Sequence, residues 1–329
     1  MKTLIEKLMR RENLTAAETE AAFDAIMAGS VDQINLSAFL TLLRAKGETP
    51  EEIAAAARAM RQHAVKVETA GDTIDTCGTG GDYSGTFNIS TAVAFVLAGA
   101  GCKVAKHGNR SQTSSSGSAD CLEALGVPID LNPQAAAAAI ADRGFAFMFA
   151  PSYHPAMKNV MPVRKQLGLR TVFNILGPLS NPAGAAYQVL GVFDEKLIEP
   201  LAEVLKLLGT KGAMVVGGGL DEVSIVQPTR YARLSGGQIS YGQIEPAALG
   251  IQAENLDALK VVSPAQSAEM VERVLRGELK GPCRDIVAVN AAAAFMALDD
   301  KLDIQAGLAM AGAVLSSGKA YAALNQARQ

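Results

Sequence analysis

Between Asp75 and Thr91 the chain reads DTCGTGGDYSGTFNIST, and no other stretch constrains its fold as much. Thr73, Ile74 and Thr76 favour a strand, glycines occupy positions 78, 80, 81 and 85, and Asn88, Ser90 and Thr91 precede the apolar run AVAFVLAGA. This order predicts a strand end, a glycine-rich loop and a helix start, with Ser90 as a candidate helix cap. Glycines let successive backbone N–H groups converge on an anion, and a helix N-terminus adds unpaired donors and the positive end of a dipole. No lysine follows in a GKS or GKT arrangement, and GTGGD does not fit GxGxxG. The loop is therefore neither a nucleotide triphosphatase loop nor a dinucleotide fingerprint.

The chain around this loop has two regimes. Residues 1 to about 66 carry helical signals only: Leu4, Ile5, Leu8 and Met9 form one stripe, Thr15 with Glu18 makes a capping box, and Thr49, Pro50 and Glu52 open a further helix through Ile53, Ala57 and Met60. From about residue 73, short apolar strands alternate with helices, which predicts an α/β domain with a mainly parallel sheet. The expected strands are 73–75, 103–106, 146–149, 187–192 and 213–216. Helix starts are expected at Asn132 with Pro133 and at Ser263 with Pro264, and a further helix over 197–208. The fold class is thus α/β: a small N-terminal all-helical domain plus a large α/β domain with a mainly parallel central sheet. A length of 329 residues suits two such domains.

Composition narrows the partners. A formal net charge of −3 argues against a nucleic-acid surface, so small molecules are the expected ligands. No apolar run reaches the ~18 residues of a membrane span, and the start MKTLIEKLMRRE mixes charges into its apolar positions, unlike a signal peptide. A cytoplasmic location is expected, with no membrane partner. Cys77, Cys102, Cys121 and Cys283 show no CxxC spacing and the histidines are only His63, His107 and His154, which argues for free packed thiols over a structural zinc site.

Three further clusters fall at expected strand or helix ends. KHGNRSQTSSSGSAD, from Lys106 to Asp120, combines two cations with hydroxyls and glycines, a composition suited to phosphate or pyrophosphate. MPVRKQLGLRTVFNILGPLSNP, from Met161 to Pro182, holds Arg164 and Arg170, either of which can grip a carboxylate with its fork; the residues alone do not choose between them. GGGLDEVS, from Gly217 to Ser224, follows a strand and sets Asp221 beside Glu222, hard oxygen ligands of the kind magnesium takes. Beside two phosphate-type loops, a metal bridging phosphates is the better reading of that acidic pair.

In combination, GTGGD, FNIST, KHGNR, GSAD, PVRKQLGLRTVFNILGPLSNP and GGGLDE resemble the anthranilate phosphoribosyltransferases over nearly the whole chain. The resemblance implies a helical domain at 1–68, completed by helices from about 156–182, and a donor-binding domain at 69–329. It implies transfer of phosphoribose from phosphoribosyl pyrophosphate to the amine of anthranilate in tryptophan biosynthesis, by a homodimer joined through its helical domains. Carried over by motif, the donor would meet Gly78, Gly81, Asp82, Thr86, Asn88, Ile89, Ser90 and Thr91. It would also meet Lys106, His107, Gly108, Asn109, Arg110, Ser111, Gln112, Thr113, Ser114 and Ser118. Anthranilate would meet Gly78, Asn109 and Arg164, which settles the arginine choice on Arg164. Ser90, Asp221 and Glu222 would hold Mg2+, two ions partly through water. Lys106, Asn109 and Arg164 would be the catalytic residues, and His107 either moves a proton or orients its loop. Where family members commonly have RAVSSKSGSAD, this chain has RSQTSSSGSAD: Gln112 replaces a small apolar residue, and Ser115 stands where a basic residue is common, a lost cation that implies weaker donor binding. Two rivals, a pyrimidine nucleoside phosphorylase-like enzyme and a non-catalytic nucleic-acid-binding relative, fit the motifs less well.

Overall fold

The computed structural model describes residues 1–81, 84–110 and 116–329. Four helices come first: α1 (Lys2–Met9), α2 (Ala16–Met27), α3 (Gln33–Lys46) and α4 (Pro50–Gln62). Both expected capping boxes form, Thr15 with Glu18 and Thr49 with Glu52. Glu52 does more than cap: its buried carboxylate also accepts from the Leu14 amide and from Lys46 Nζ, each at 2.8 Å, and so ties α3 and α4 to the turn before α2.

The remaining chain builds a seven-stranded sheet from β1 (Ile74–Gly78), β2 (Val104–Gly108), β3 (Phe145–Phe149), β4 (Tyr187–Gly191), β5 (Gly212–Gly217), β6 (Thr229–Ser235) and β7 (Gln238–Ile244). The spatial order is β3-β2-β1-β4-β5-β6-β7. The first five strands in that order pair in parallel, and β6 and β7 add antiparallel. The five expected strands are all present. The hairpin β6–β7 is an addition to them; Gly236 and Gly237, both at positive φ, make its two-residue turn.

Helices α5 (Ile89–Gly99), α6 (Ser118–Ala124), α7 (Pro133–Arg143), α8 (Ala150–Tyr153), α9 (Met161–Leu167) and α10 (Phe173–Leu179) lie between the early strands. Then come α11 (Ile198–Leu207), α12 (Pro264–Leu275), α13 (Pro282–Leu298), α14 (Ile304–Ser316) and α15 (Lys319–Ala327). Asn132 and Ser263 cap α7 and α12 as expected. On one face of the sheet Ile74, Val104, Phe147 and Val216 pack against α5 and α13, both apolar on nearly every side and buried. On the other face Leu190 and Val215 share a core with α2, α3, α4, α10 and α11. Phe23 there meets Phe39 and, from α10, Phe173, at centroid separations of 6.0 and 5.6 Å. Among the described residues no helix is long and apolar enough to cross a membrane.

This topology sets the site. The chain steps from β1 outward to β2 and β3, then returns to place β4 on the other side of β1, so the crevice beyond the carboxyl ends of β1 and β4 is where an open α/β sheet receives a ligand.

Candidate active site

A cavity of about 570 Å³ opens at that crevice. Gly78 and Gly81 come to it from the end of β1; Thr86, Asn88, Ile89 and Ser90 from the start of α5; Lys106, His107, Gly108, Asn109 and Arg110 from the end of β2. Ser118 opens α6 on its rim, Arg164 reaches in from α9, and Asp221 and Glu222 enter from the loop after β5. Residues far apart in sequence thus converge on one space. Asp82 and Ser111, Gln112, Thr113, Ser114 and Ser115 lie outside the described residues.

The glycine loop is held from two sides. The Gly80 amide donates to Asp221 Oδ2 at 2.8 Å, and Gly81 accepts from Arg170 Nη2 at 2.8 Å. A Cβ on Gly78 would stand 2.3 Å from Asp221 Oδ2, and one on Gly191 only 1.5 Å from the Asp221 carbonyl oxygen. Only glycine at both strand ends lets the acidic loop sit this close. Arg170 also lies 3.9 Å above the Phe193 ring, so its guanidinium braces the loop.

Arg164 is placed differently. Among the described residues no carboxylate lies within ion-pair distance of it; its neighbours are Met161 Sδ at 4.0 Å and the Phe173 ring at 5.7 Å, and burial lowers its pKa. Phe173, Leu169, Pro178 and Phe193 give this part of the cavity an apolar wall. A guanidinium without an acid beside such a wall suits a flat aromatic carboxylate.

Several expected roles change in detail. Ser90 is not the cap of α5: Asn88 is, accepting from the Thr91 amide at 3.1 Å. The Ser90 hydroxyl instead accepts from Lys106 Nζ at 3.0 Å, on the cavity wall. Thr91 is fully buried, with its hydroxyl bonded to Asn88 Oδ1, so it supports the helix start and does not line the cavity. Lys106 is itself 1% exposed, and its ammonium also donates to the Thr76 carbonyl, turning inward beneath the cavity floor. Arg110 is engaged with Asp120 and Glu123, each at 2.8 Å, so a donor phosphate would have to compete with two carboxylates for it. The two histidine rings, His107 and His154, lie 5.0 Å apart with their planes tilted by 54°, each Nε2 buried and, among the described residues, lacking a protein partner. Burial pushes them down to about 3 and about 4, which keeps both neutral near physiological pH and favours the orienting role of His107 over a proton-carrying one. The four cysteines are free; burial pushes Cys102 up to about 11 and Cys121 to about 12, and raises Cys77, on the cavity wall, well above its usual value. Thiols held protonated in this way favour packing over nucleophilic attack.

Among the wall residues that the sequence does not single out are Phe193 and Pro178. Pro178 interrupts the helical pattern of FNILGPL, a usable signal; nothing local marks Phe193, which both lines the cavity and lies under Arg170.

The donor set fits magnesium held jointly with phosphates. Asp221, Glu222 and the Ser90 hydroxyl face one cavity, while among the described residues no three His, Cys, Asp or Glu side chains group closely enough to hold a metal by themselves. Magnesium takes one or two carboxylates and completes its shell with phosphate oxygens and water.

Comparison with known proteins agrees with this geometry. Residues 2–64 match the glycosyl transferase family helical bundle domain and residues 70–321 the glycosyl transferase family a/b domain. An anthranilate phosphoribosyltransferase from Persephonella marina is 47% identical over 100% of this chain and 98% of its own length. The crystal structure of the Thermus thermophilus anthranilate phosphoribosyltransferase superposes with a TM-score of 0.93 at 42% identity, covering 99% of this chain and 98% of that one. The Saccharomyces cerevisiae anthranilate phosphoribosyltransferase in complex with PRPP and Mg superposes at 0.89 with 29% identity, over 98% of this chain and 95% of that one. It has also been solved with 4-fluoroanthranilate.

Proposed function

This chain belongs to the anthranilate phosphoribosyltransferase family, and we propose from that premise that it transfers phosphoribose from phosphoribosyl pyrophosphate to the amine of anthranilate, releasing pyrophosphate. The observation that carries the reading is the meeting, in one cavity, of a glycine loop and helix start suited to pyrophosphate, an acidic pair suited to magnesium, and, beside an apolar wall, an arginine that has no acid partner among the described residues.

In this reading the Gly78–Gly81 loop and the first turn of α5 take the donor, with Thr86, Asn88, Ile89 and Ser90 on one side and the His107–Asn109 backbone on the other. Ser118 and the stretch 111–114, with Asp82, complete the donor site. Magnesium bound by Ser90, Asp221 and Glu222 supplies charge neutralisation for the departing pyrophosphate; two ions, partly water-held, suit its charge. Lys106 adds a positive charge beneath the same place through Ser90. Arg164 grips the anthranilate carboxylate and Asn109 aims its amine at the anomeric carbon, so displacement inverts that carbon. An aromatic amine is neutral at physiological pH, and no strong base is needed to generate the nucleophile.

Loss of anthranilate fluorescence with the purified protein, phosphoribosyl pyrophosphate and magnesium tests the reading; an unchanged signal overturns it. Arg164→Ala is expected to raise KM for anthranilate by roughly thirty-fold, about 2 kcal/mol of charge-assisted bonding, with donor KM within about twofold of wild type. An unchanged anthranilate KM would move the carboxylate elsewhere.

The same reading includes a boundary near residue 68 with 156–182 returning to the helical unit, supported by Val160, Val163 and Phe173 sharing the core of Phe23 and Phe39. It also includes a cytoplasmic homodimer. Met9 and Ile34 stand 67% and 83% exposed on the helical unit, apolar surface that a second copy would cover. Light scattering at micromolar concentration should give twice the chain mass; a monomer there would refute the dimer.

A further inference from the structure

Strands β1 and β2 stay in register for a single residue pair, Ile74 with Val104, whereas β1 and β4 pair over five residues, up to Gly78 with Gly191. Beyond Ile74, side chains replace the ladder between β1 and β2. Successive side chains of a strand point to opposite faces, so the gap is filled differently on each. On one face Lys106 reaches across to the Thr76 carbonyl. On the other, the Asp75 carboxylate accepts from the backbone amide of His107 at 3.2 Å.

Asn181, just beyond α10, completes the second arrangement. Its Nδ2 donates to Asp75 Oδ2 at 2.7 Å and to the Ala105 carbonyl at 2.8 Å, while its Oδ1 accepts from the Ala183 amide at 2.9 Å. Asp75 and Asn181 are 0% and 4% exposed. A carboxyl so deeply placed is costly to bury, and burial pushes it up to about 6 against the opposing pull of Lys106 and the bond from Asn181. The general mechanism has no use for it, since it does not line the cavity. What it does hold is the point from which β2 runs into Gly108 and Asn109.

We propose that Asp75 is a positioning residue for the donor site: set between the parted strands and locked by Asn181, its carboxylate fixes the His107 amide and so the line along which the His107–Asn109 backbone meets the phosphoribosyl donor. This rests on the functional reading above. It assigns to Asp75 no contact with substrate. Its effect should therefore appear as misplacement of a binding wall, in KM for the donor more than in kcat.

Asp75→Asn keeps the side-chain shape but turns an amide nitrogen, or loses an acceptor, where Asn181 donates and the His107 amide needs a partner. It is expected to raise donor KM about tenfold with kcat changed less than about threefold. Hydrogen–deuterium exchange in the peptide covering 104–110 should quicken while peptides in α4 and α13 stay as in wild type. Adding Asn181→Asp restores a donor facing an acceptor between the two positions and should recover part of the donor KM. Donor KM within twofold of wild type in Asp75→Asn overturns the proposal. So does exchange that quickens equally throughout the molecule, which marks a merely structural residue. If the wild-type protein consumes no anthranilate, the functional reading fails, and the exchange comparison still decides whether Asp75 anchors the end of β2.

Discussion

Asp221→Ala combined with Glu222→Ala is expected to lower magnesium-dependent turnover by roughly three orders of magnitude, about 4 kcal/mol of transition-state stabilisation. The size follows from how fixed these carboxylates are. Asp221 is seated by the Gly80 amide and by the missing side chains of Gly78 and Gly191, so its oxygens are held at the cavity before any ligand arrives. The residue after the pair is gripped from below: Asn290, buried in α13, accepts from the Val223 amide at 2.7 Å and donates to the Val223 carbonyl at 2.9 Å. The alanine variant keeps that grip and the β5 strand before it, so the loop should hold its course while losing both ligands. Steady-state rates over a range of magnesium concentrations, with calorimetric titration of magnesium and donor into the variant, check this. Near-wild-type turnover at ordinary magnesium concentrations would remove Asp221 and Glu222 from the metal site.

Much of this was legible in the sequence because the chemistry is local. A strand end, a run of glycines and a helix start are neighbours along the chain, and so are Asp221 and Glu222; their meaning needs only short-range spacing. The five parallel strands were found for the same reason, each being an apolar run between turn signals. The hairpin of β6 and β7 was not, although RYARLSGGQISYGQI carries the two-glycine turn. β6 buries only Thr229, Ala232 and Leu234 and β7 only Ile244, so neither forms the continuous apolar run of a central strand. Long-range partners were out of reach altogether. Nothing near Arg164 or Arg170 says which is free; that depends on Gly81 and Phe193. The role of Asp75 depends on Asn181, 106 positions away. The Arg164 assignment comes from the resemblance, and the inward turn of Lys106 shows how a motif position fixes a residue's neighbourhood without fixing where its charged atom points.

The buried histidine pair is expected to make stability fall on mild acidification. Both rings are buried neutral, pushed down to about 3 and about 4, whereas an unfolded chain would bind protons on them near 6.5. Between those values the unfolded state holds more protons on these residues, so stability is lost as pH drops, by about 1.4 kcal/mol per pH unit for each ring once fully engaged. Asp75 works the other way. Its folded carboxyl, pushed up to about 6, is protonated earlier than in the unfolded chain, so its contribution grows as pH falls and is lost as pH rises through about 6. The charge of His154 and, more weakly, that of Lys106 further oppose protonation of the His107 ring. Two rings against one carboxyl leave a net loss of about 2 kcal/mol between pH 6.5 and 5, above the range in which ordinary carboxylates titrate. Urea unfolding at half-unit pH intervals measures it. His154→Gln removes one ring without adding a charge and should shrink the loss to well under about 1 kcal/mol, because the remaining histidine and Asp75 then nearly cancel. If the variant and the wild type lose stability in parallel across that interval, the histidine pair is not what the folded protein keeps neutral.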